Sequence, residues 1–139
     1  DAVAQRQELV KNLAQYLRSS PSGQRSDAAQ ELATKASADP NVQNLKALID
    51  ITRDNIAYDR VDAAKALAFQ RGEKNKRYNE FAEHQANFPN TIDARAFKLD
   101  TYTPAEARAF IKHIHDTESE AQFKKFQESH ELAKKLGMV

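Results

Sequence analysis

One run of the chain, from Asn41 to Phe88, contains no proline and a single glycine, Gly72. Proline and glycine are the residues that most disfavour a helix interior, so their near absence predicts one long helix from about Pro40 to Phe88. A continuous helix of this length would be ~70 Å long at ~1.5 Å per residue. A compact domain of this size should have a radius of gyration of only ~14 Å. We therefore expect either a break near Gly72 or an elongated molecule with lateral partners.

The composition of the whole chain also favours helices. Its 139 residues include three glycines, four prolines and no cysteine, and no segment shows the alternation of a β-strand. These features predict an all-α fold, an elongated bundle of five or six helices.

The absence of cysteine excludes disulfides and thiolate metal sites. A formal net charge of +1 gives no general attraction to nucleic acid or anionic membranes. No apolar run approaches the ~20 residues of a transmembrane helix.

Alanine and the aromatic residues are unevenly distributed along the chain. Residues 1–71 are rich in alanine, whereas most of the phenylalanines and tyrosines lie at or after Tyr78. We predict an Ala-rich helical packing region over 1–71 and an aromatic-rich helical subdomain over 72–139. The sequence begins with Asp1 rather than methionine, so we expect a processed chain or part of a longer one.

Short residue patterns mark the ends of several helices. Ser26 is expected to cap a short Ala-rich helix, and Asp39-Pro40 to start the long one, with Asp39 as its cap. Thr103-Pro104-Ala105-Glu106 has the composition of a capping box, and Thr117-Glu118-Ser119-Glu120 that of a second. Gly137 stands where a helix C-cap belongs, after a last turn that contains Lys134 and Lys135.

Apolar residues repeat at helical spacing in two stretches. The first is a helix over 2–18, ended by the cluster Ser19–Gly23, and the second is the long helix. The candidate oligomer-packing residues are Val3, Val10, Leu13 and Leu17 in the first helix and Val42, Leu45, Ile49 and Ile56 in the long one. Steps of seven residues suit either an intramolecular bundle or a seam between copies. The length of the predicted helix favours a homo-oligomer.

A basic segment follows the middle of the long helix. Its candidate nucleic-acid contacts are Arg71, Lys74, Lys76, Arg77 and Tyr78. Cations beside an aromatic residue can bind phosphates and stack on bases, so a helical module that binds nucleic acid, or an adaptor, is the alternative function. A solvated helix face has the same composition.

Few residues suited to catalysis or metal binding stand at the spacing that such a site requires. His113, His115 and Asp116, with Glu118 and Glu120 nearby, are the best metal candidates. Residues two apart on a helix point in different directions, so the two histidines cannot share an ion there. The three glycines form no phosphate-binding loop. We predict no metal, no cofactor and no enzymatic activity, and a helical hydrolase with a buried carboxylate is the least favoured alternative.

Three segments together resemble a known class of protein. They are the stretch 81–90, which ends in Phe88-Pro89-Asn90, then Asp93-Ala94-Arg95-Ala96-Phe97, then the capped helix at Thr103-Pro104. Over about residues 40–115 they resemble the large, helical, cysteine-poor internal virion proteins of tailed bacteriophages. Those proteins travel with the DNA and assemble a channel across the host envelope. The resemblance implies a structural protein located in the virion, assembled in rings, with other virion proteins as partners, and it carries over no catalytic residue.

Overall fold

The computed structural model describes residues 1–74 and 92–139, with side chains for 1–67 and 92–139. The regular elements of these residues are all helical, which confirms the predicted all-α class. The helices are α1 (Ala2–Ser19), α2 (Pro21–Gln24), α3 (Asp27–Ala38), α4 (Val42–Lys74), a 3₁₀ helix (Ala94–Thr101), α5 (Pro104–Thr117) and α6 (Glu120–Lys135). These seven segments exceed the predicted five or six because α2, a helix of four residues, was not predicted.

Contacts between residues divide the chain into two units, within α4. The first unit is Asp1–Asp59 and the second is Arg60–Val139. This division precedes the boundary near Gly72 that the distribution of aromatic residues predicts. Because the side chains around Gly72 lie outside the described residues, the boundary near Gly72 stays a prediction.

The long helix α4 has 33 residues and includes Gly72, so this glycine does not interrupt it. The predicted continuation to Phe88 lies outside the described residues. The cap at its start is Asn41 and not Asp39: the N–H of Asn44 donates to Asn41 Oδ1 at 2.7 Å. Asp39 instead closes α3, where its N–H bonds to the carbonyl of Lys35. The carbonyl of Asp39 accepts from the N–H of Asn41 at 2.9 Å and from the side-chain amide of Asn44 at 2.8 Å. A turn therefore separates α3 from α4, and the first residue of α4 is Val42 rather than Pro40.

Small side chains form most of the core of the first unit. α1 and α3 pack together through Val10, Ala14 and Leu17 on one side and alanines on the other. The buried set is Val10, Ala14, Leu17, Ala29, Ala33, Ala36 and Leu48. Alanine lets helix backbones approach closely. Packing against α1 therefore provides the support that α3, a short Ala-rich helix, needs.

The other helix caps confirm three of the predicted boundaries and correct one. The hydroxyl of Ser26 caps α3, and Thr103 and Glu106 form the predicted capping box of α5. The second box is formed by Ser119 with Gln122, because Thr117 is still the last residue of α5. Gly137 has a φ of 72° after α6. Its N–H and that of the next residue bond back to carbonyls of the last turn, as in a Schellman motif.

The 3₁₀ helix packs against α6 in the core of the second unit. Phe97 is fully buried, together with Phe126 and Ile114. The guanidinium of Arg60 donates from Nη1 to the carbonyl of Phe97 at 2.9 Å and forms two bonds with the Asp100 carboxylate. These bonds hold the 3₁₀ helix to Arg60 within the second unit. Across residues 1–74 and 92–139, no helix combines the length and apolar composition that a membrane span requires.

Candidate functional site

The most extensive polar cluster in the first unit surrounds Asp59 on α4. We call it the Asp59 cluster and define it as Tyr16, Ser20, Ser22, Asn55 and Asp59. It forms because the chain turns sharply after α1, where Ser20 takes an extended conformation as the N-cap of α2 and Pro21 follows. Proline suits the first position of a helix because its missing N–H needs no partner there. The turn brings two serines of the Ser19–Gly23 cluster against α4.

The carboxylate of Asp59 accepts hydrogen bonds on both of its oxygens. Oδ2 lies 2.5 Å from Ser20 Oγ and 3.3 Å from the hydroxyl of Tyr16, and Oδ1 accepts from the backbone N–H of Ser22 at 2.9 Å. The hydroxyl of Ser22 points at Asn55, 2.8 Å from its side-chain oxygen. Ser20, Ser22 and Asn55 are all buried. Each donor therefore has an acceptor within the cluster.

Close backbone packing holds the same turn. A β-carbon at Gly23 would collide with the carbonyl oxygen of Leu17, so only glycine fits at this position. The side chain of Gln30 donates to the carbonyls of Leu17 and Gly23, each at 3.0 Å. The turn is thus fixed by both shape and hydrogen bonds.

The protonation state of Asp59 follows from its surroundings. Burial opposes ionisation, but the hydrogen bonds from Ser20, Ser22 and Tyr16 outweigh it and hold the pKa of Asp59 below its ordinary value. The carboxylate is ionised at neutral pH and both of its oxygens are occupied. These properties suit an anchor for the turn rather than a general base, which needs a pKa near the working pH.

We expect the stability of the first unit to depend on pH through Asp59. Its folded-state pKa is lowered, so its contribution is fully present above the unfolded-state pKa of about 3.9 and is lost as the pH falls through the lower folded value. Urea unfolding of the wild type and of Asp59→Asn checks this. The stability difference between them should be largest near neutral pH and shrink in acid. A difference that does not change with pH would contradict it.

A second charged cluster connects the 3₁₀ helix to the end of α5. The guanidinium of Arg95 lies 2.5 and 2.7 Å from the two oxygens of Glu118 and also bonds both oxygens of Asp93. The hydrogen bonds to Glu118 and then to Asp93 raise the pKa of Arg95, and the hydrogen bond from Arg95 lowers the pKa of Glu118. Two carboxylates thus share one cation, and Glu118 is not available as a metal ligand.

The metal candidates of α5 do not come together. Asp116 bonds Lys112 at 2.7 Å and lies 3.3 Å from Nδ1 of His115, and these side chains are exposed. Within the described ranges, no three histidine, aspartate or glutamate side chains are grouped as metal ligands. Glu120 is exposed in the first turn of α6.

Two open grooves lie on the second unit on either side of Ile111 and His130, which line both of them. Their volumes are about 570 and 320 Å³. Burial, and then the charge of Lys134, lower the pKa of His130. An imidazole with a lowered pKa is neutral at physiological pH, so His130 adds no charge to the lining of either groove.

The candidate oligomer-packing residues divide into two groups. Val10 and Leu17 are buried within the first unit, and Leu13 and Leu45 pack against the same core. The others retain exposed surface: Val3 is 50% exposed, Val42 is 67% exposed, and Ile49 and Ile56 are partly exposed. Whether any of them contacts another copy stays a prediction.

The candidate nucleic-acid contacts lie at or beyond the edge of the described residues. The backbone of Arg71 and Lys74 belongs to the end of α4, and their side chains lie outside the described part. Lys76, Arg77 and Tyr78 lie outside it entirely. The nucleic-acid alternative stays a prediction.

The Asp59 cluster was not predicted from the sequence. Its local signal is the Ser20-Pro21 step, which is typical of a helix N-cap and first position and is followed by Gly23. Nothing local connects that step to an aspartate far along the chain. Neither protein-family models, nor curated proteins, nor solved structures match this chain.

Proposed function

We propose that this chain is a non-enzymatic structural protein that assembles with other copies of itself through an apolar stripe on α4. The stripe consists of Val42, Ile49 and Ile56. The observation that supports the proposal is that these apolar side chains remain accessible to solvent: Val42 is 67% exposed, and the two isoleucines are partly exposed. Isoleucine and valine at seven-residue steps are typical of helix–helix seams.

The stripe lies beside the face with which α4 packs inside its own unit. Leu48, Thr52 and Asn55 are buried there. Seven residues make almost two full turns of a helix, so Val42, Ile49 and Ile56 stay nearly in line over ~21 Å. A second helix that packs along this line would bury side chains that the first unit leaves partly in water, and each buried apolar side chain contributes about 1.5–3 kcal/mol.

The resemblance to internal virion proteins of tailed bacteriophages extends this proposal. In that class, helical proteins associate around a lumen and take part in the transfer of DNA into the host. We propose the same role for this chain, with the virion as its location and other virion proteins as further partners. Electron microscopy of the purified assembly tests this extension, since it predicts closed rings with a central opening.

The stripe is tested by replacing one exposed member with a charged residue. We expect Val42→Glu to weaken self-association about tenfold or more, because the introduced carboxylate would have to be desolvated in an apolar seam. The measurement is the association constant from sedimentation equilibrium at several protein concentrations. The matched control is Gln43→Glu, which adds the same charge at the adjacent exposed residue, off the stripe. Equal effects of the two substitutions, or a wild-type chain that stays monomeric, would refute the proposal.

A further inference from the structure

The outward face of α1 has a regular polar pattern. Its residues follow one another at steps of three and four and are all exposed: Asp1, Ala4, Glu8, Lys11, Gln15 and Arg18. We call this set the α1 outer face. The buried residues Val10, Ala14 and Leu17 lie on the adjoining side of the same helix, roughly 120° away at about 100° per residue. α1 therefore buries one side in its own core and leaves this polar side exposed.

Charge is ordered along the α1 outer face. The acidic residues, Asp1 and Glu8, lie in its first half, and the basic residues, Lys11 and Arg18, lie in its second half. In the part of the chain that the structure describes, Glu8, Lys11 and Arg18 form no ion pair with another side chain. A partner that matches this order must be basic opposite the first half and acidic opposite the second.

A second copy of α1 running in the opposite direction meets that requirement. With a two-fold axis between Leu9 and Val10, Glu8 faces Lys11 of the second copy, and Asp1 faces Arg18 of the second copy. The same axis relates Ala4 to Gln15. A parallel pair in register would instead place like charges opposite each other.

The space beside α1 favours the same partner. A groove of about 470 Å³ runs between α1 and the end of α3. Its lining residues are Gln7, Val10, Lys11, Ala14, Gln15, Arg18, Ser37, Ala38 and Pro40. Lys11 and Arg18 are the charged residues of this lining, which includes no carboxylate. A partner seated along the mouth of the groove must therefore supply the negative charge.

From this charge order and register, we propose that α1 is an isologous contact, antiparallel to α1 of a second copy and paired through Glu8 with Lys11 and Asp1 with Arg18. The inference rests on the proposed self-association and names a second surface for it, separate from the α4 stripe. A two-fold contact joins copies in pairs, and a different contact on the same chain can then extend the pairs into a larger assembly.

Charge reversal at the two central residues tests this contact. Lys11→Glu and Glu8→Lys should each weaken the two-fold contact roughly tenfold, because each substitution turns two attractive pairs into repulsive ones. Combining both substitutions in one chain exchanges the charges and should restore association. Mixing the two single variants should also restore it, since each then supplies what the other lacks. Association constants from sedimentation equilibrium, at low and high salt, report all four cases.

Glu31→Lys and Lys35→Glu on α3 are the matched controls, because they make the same charge changes at exposed positions off the α1 outer face. They should leave the association constant unchanged. The α1 contact is overturned if the single variants associate like the wild type, if the combined variant stays weak, or if the controls behave like the test variants. Weakening by Val42→Glu together with no effect of Lys11→Glu would overturn only the α1 contact. A monomeric wild type would overturn this contact and the proposed function together.

Discussion

Asp59→Ala is expected to lower the free energy of unfolding of the first unit by about 2 kcal/mol, through the loss of charge-assisted hydrogen bonds and the burial of donors without acceptors. The hydroxyl of Ser20 and the backbone N–H of Ser22 would both lose their carboxylate. The loss stays below the sum of separate bonds, because Asp59 is only partly buried and water can replace part of what is removed.

Amide hydrogen exchange measures this effect where it arises. The N–H of Ser22 should exchange faster in Asp59→Ala than in the wild type, and the urea midpoint of the first unit should fall. Asp50→Ala is the control, since Asp50 is on the same helix, is exposed, and lies 3.9 Å from the guanidinium of Arg53 in a long ion pair. It should change stability by no more than about 0.5 kcal/mol. If both substitutions had the same small effect, the Asp59 cluster would not anchor the turn.

Phe97→Ala should have the largest effect in the second unit, a loss of about 3–5 kcal/mol, because it removes a fully buried aromatic ring and leaves a cavity. Phe97 has no exposed surface and lies on the 3₁₀ helix that packs against α6. Its backbone carbonyl, which accepts from Arg60, is unchanged by the substitution. The loss therefore reports the ring and not the hydrogen bond.

Phe97→Leu is the matched variant, because it keeps most of the apolar volume and should cost much less than alanine. The measurement is denaturant unfolding together with amide exchange at Ile114 and Phe126, which are buried in the same unit. Equal stabilities of the alanine and leucine variants would mean that the ring is not closely packed.

The helix caps show which features could be predicted from local sequence. Ser26 and Thr103 cap the helices that their sequence patterns predict, and Gly137 has the positive φ expected of a C-cap. Each of these contacts joins residues only a few positions apart, so the local sequence contains both partners. Where two nearby residues could each cap a helix, local patterns were less reliable. Asn41 rather than Asp39 caps α4, and Ser119 rather than Thr117 caps α6.

Local sequence patterns were enough to predict the all-α class and most helix ends, because helix periodicity and capping act over one or two turns. Which apolar residues enter the core depends on how the helices pack within each unit. Val3, Val10 and Leu17 share one spacing, yet Val10 and Leu17 are buried while Val3 is half exposed. Only the tertiary structure brought Ser20 and Ser22 to Asp59. Burial and long-range hydrogen bonds depend on where other helices lie, and the pattern within one helix does not contain that information.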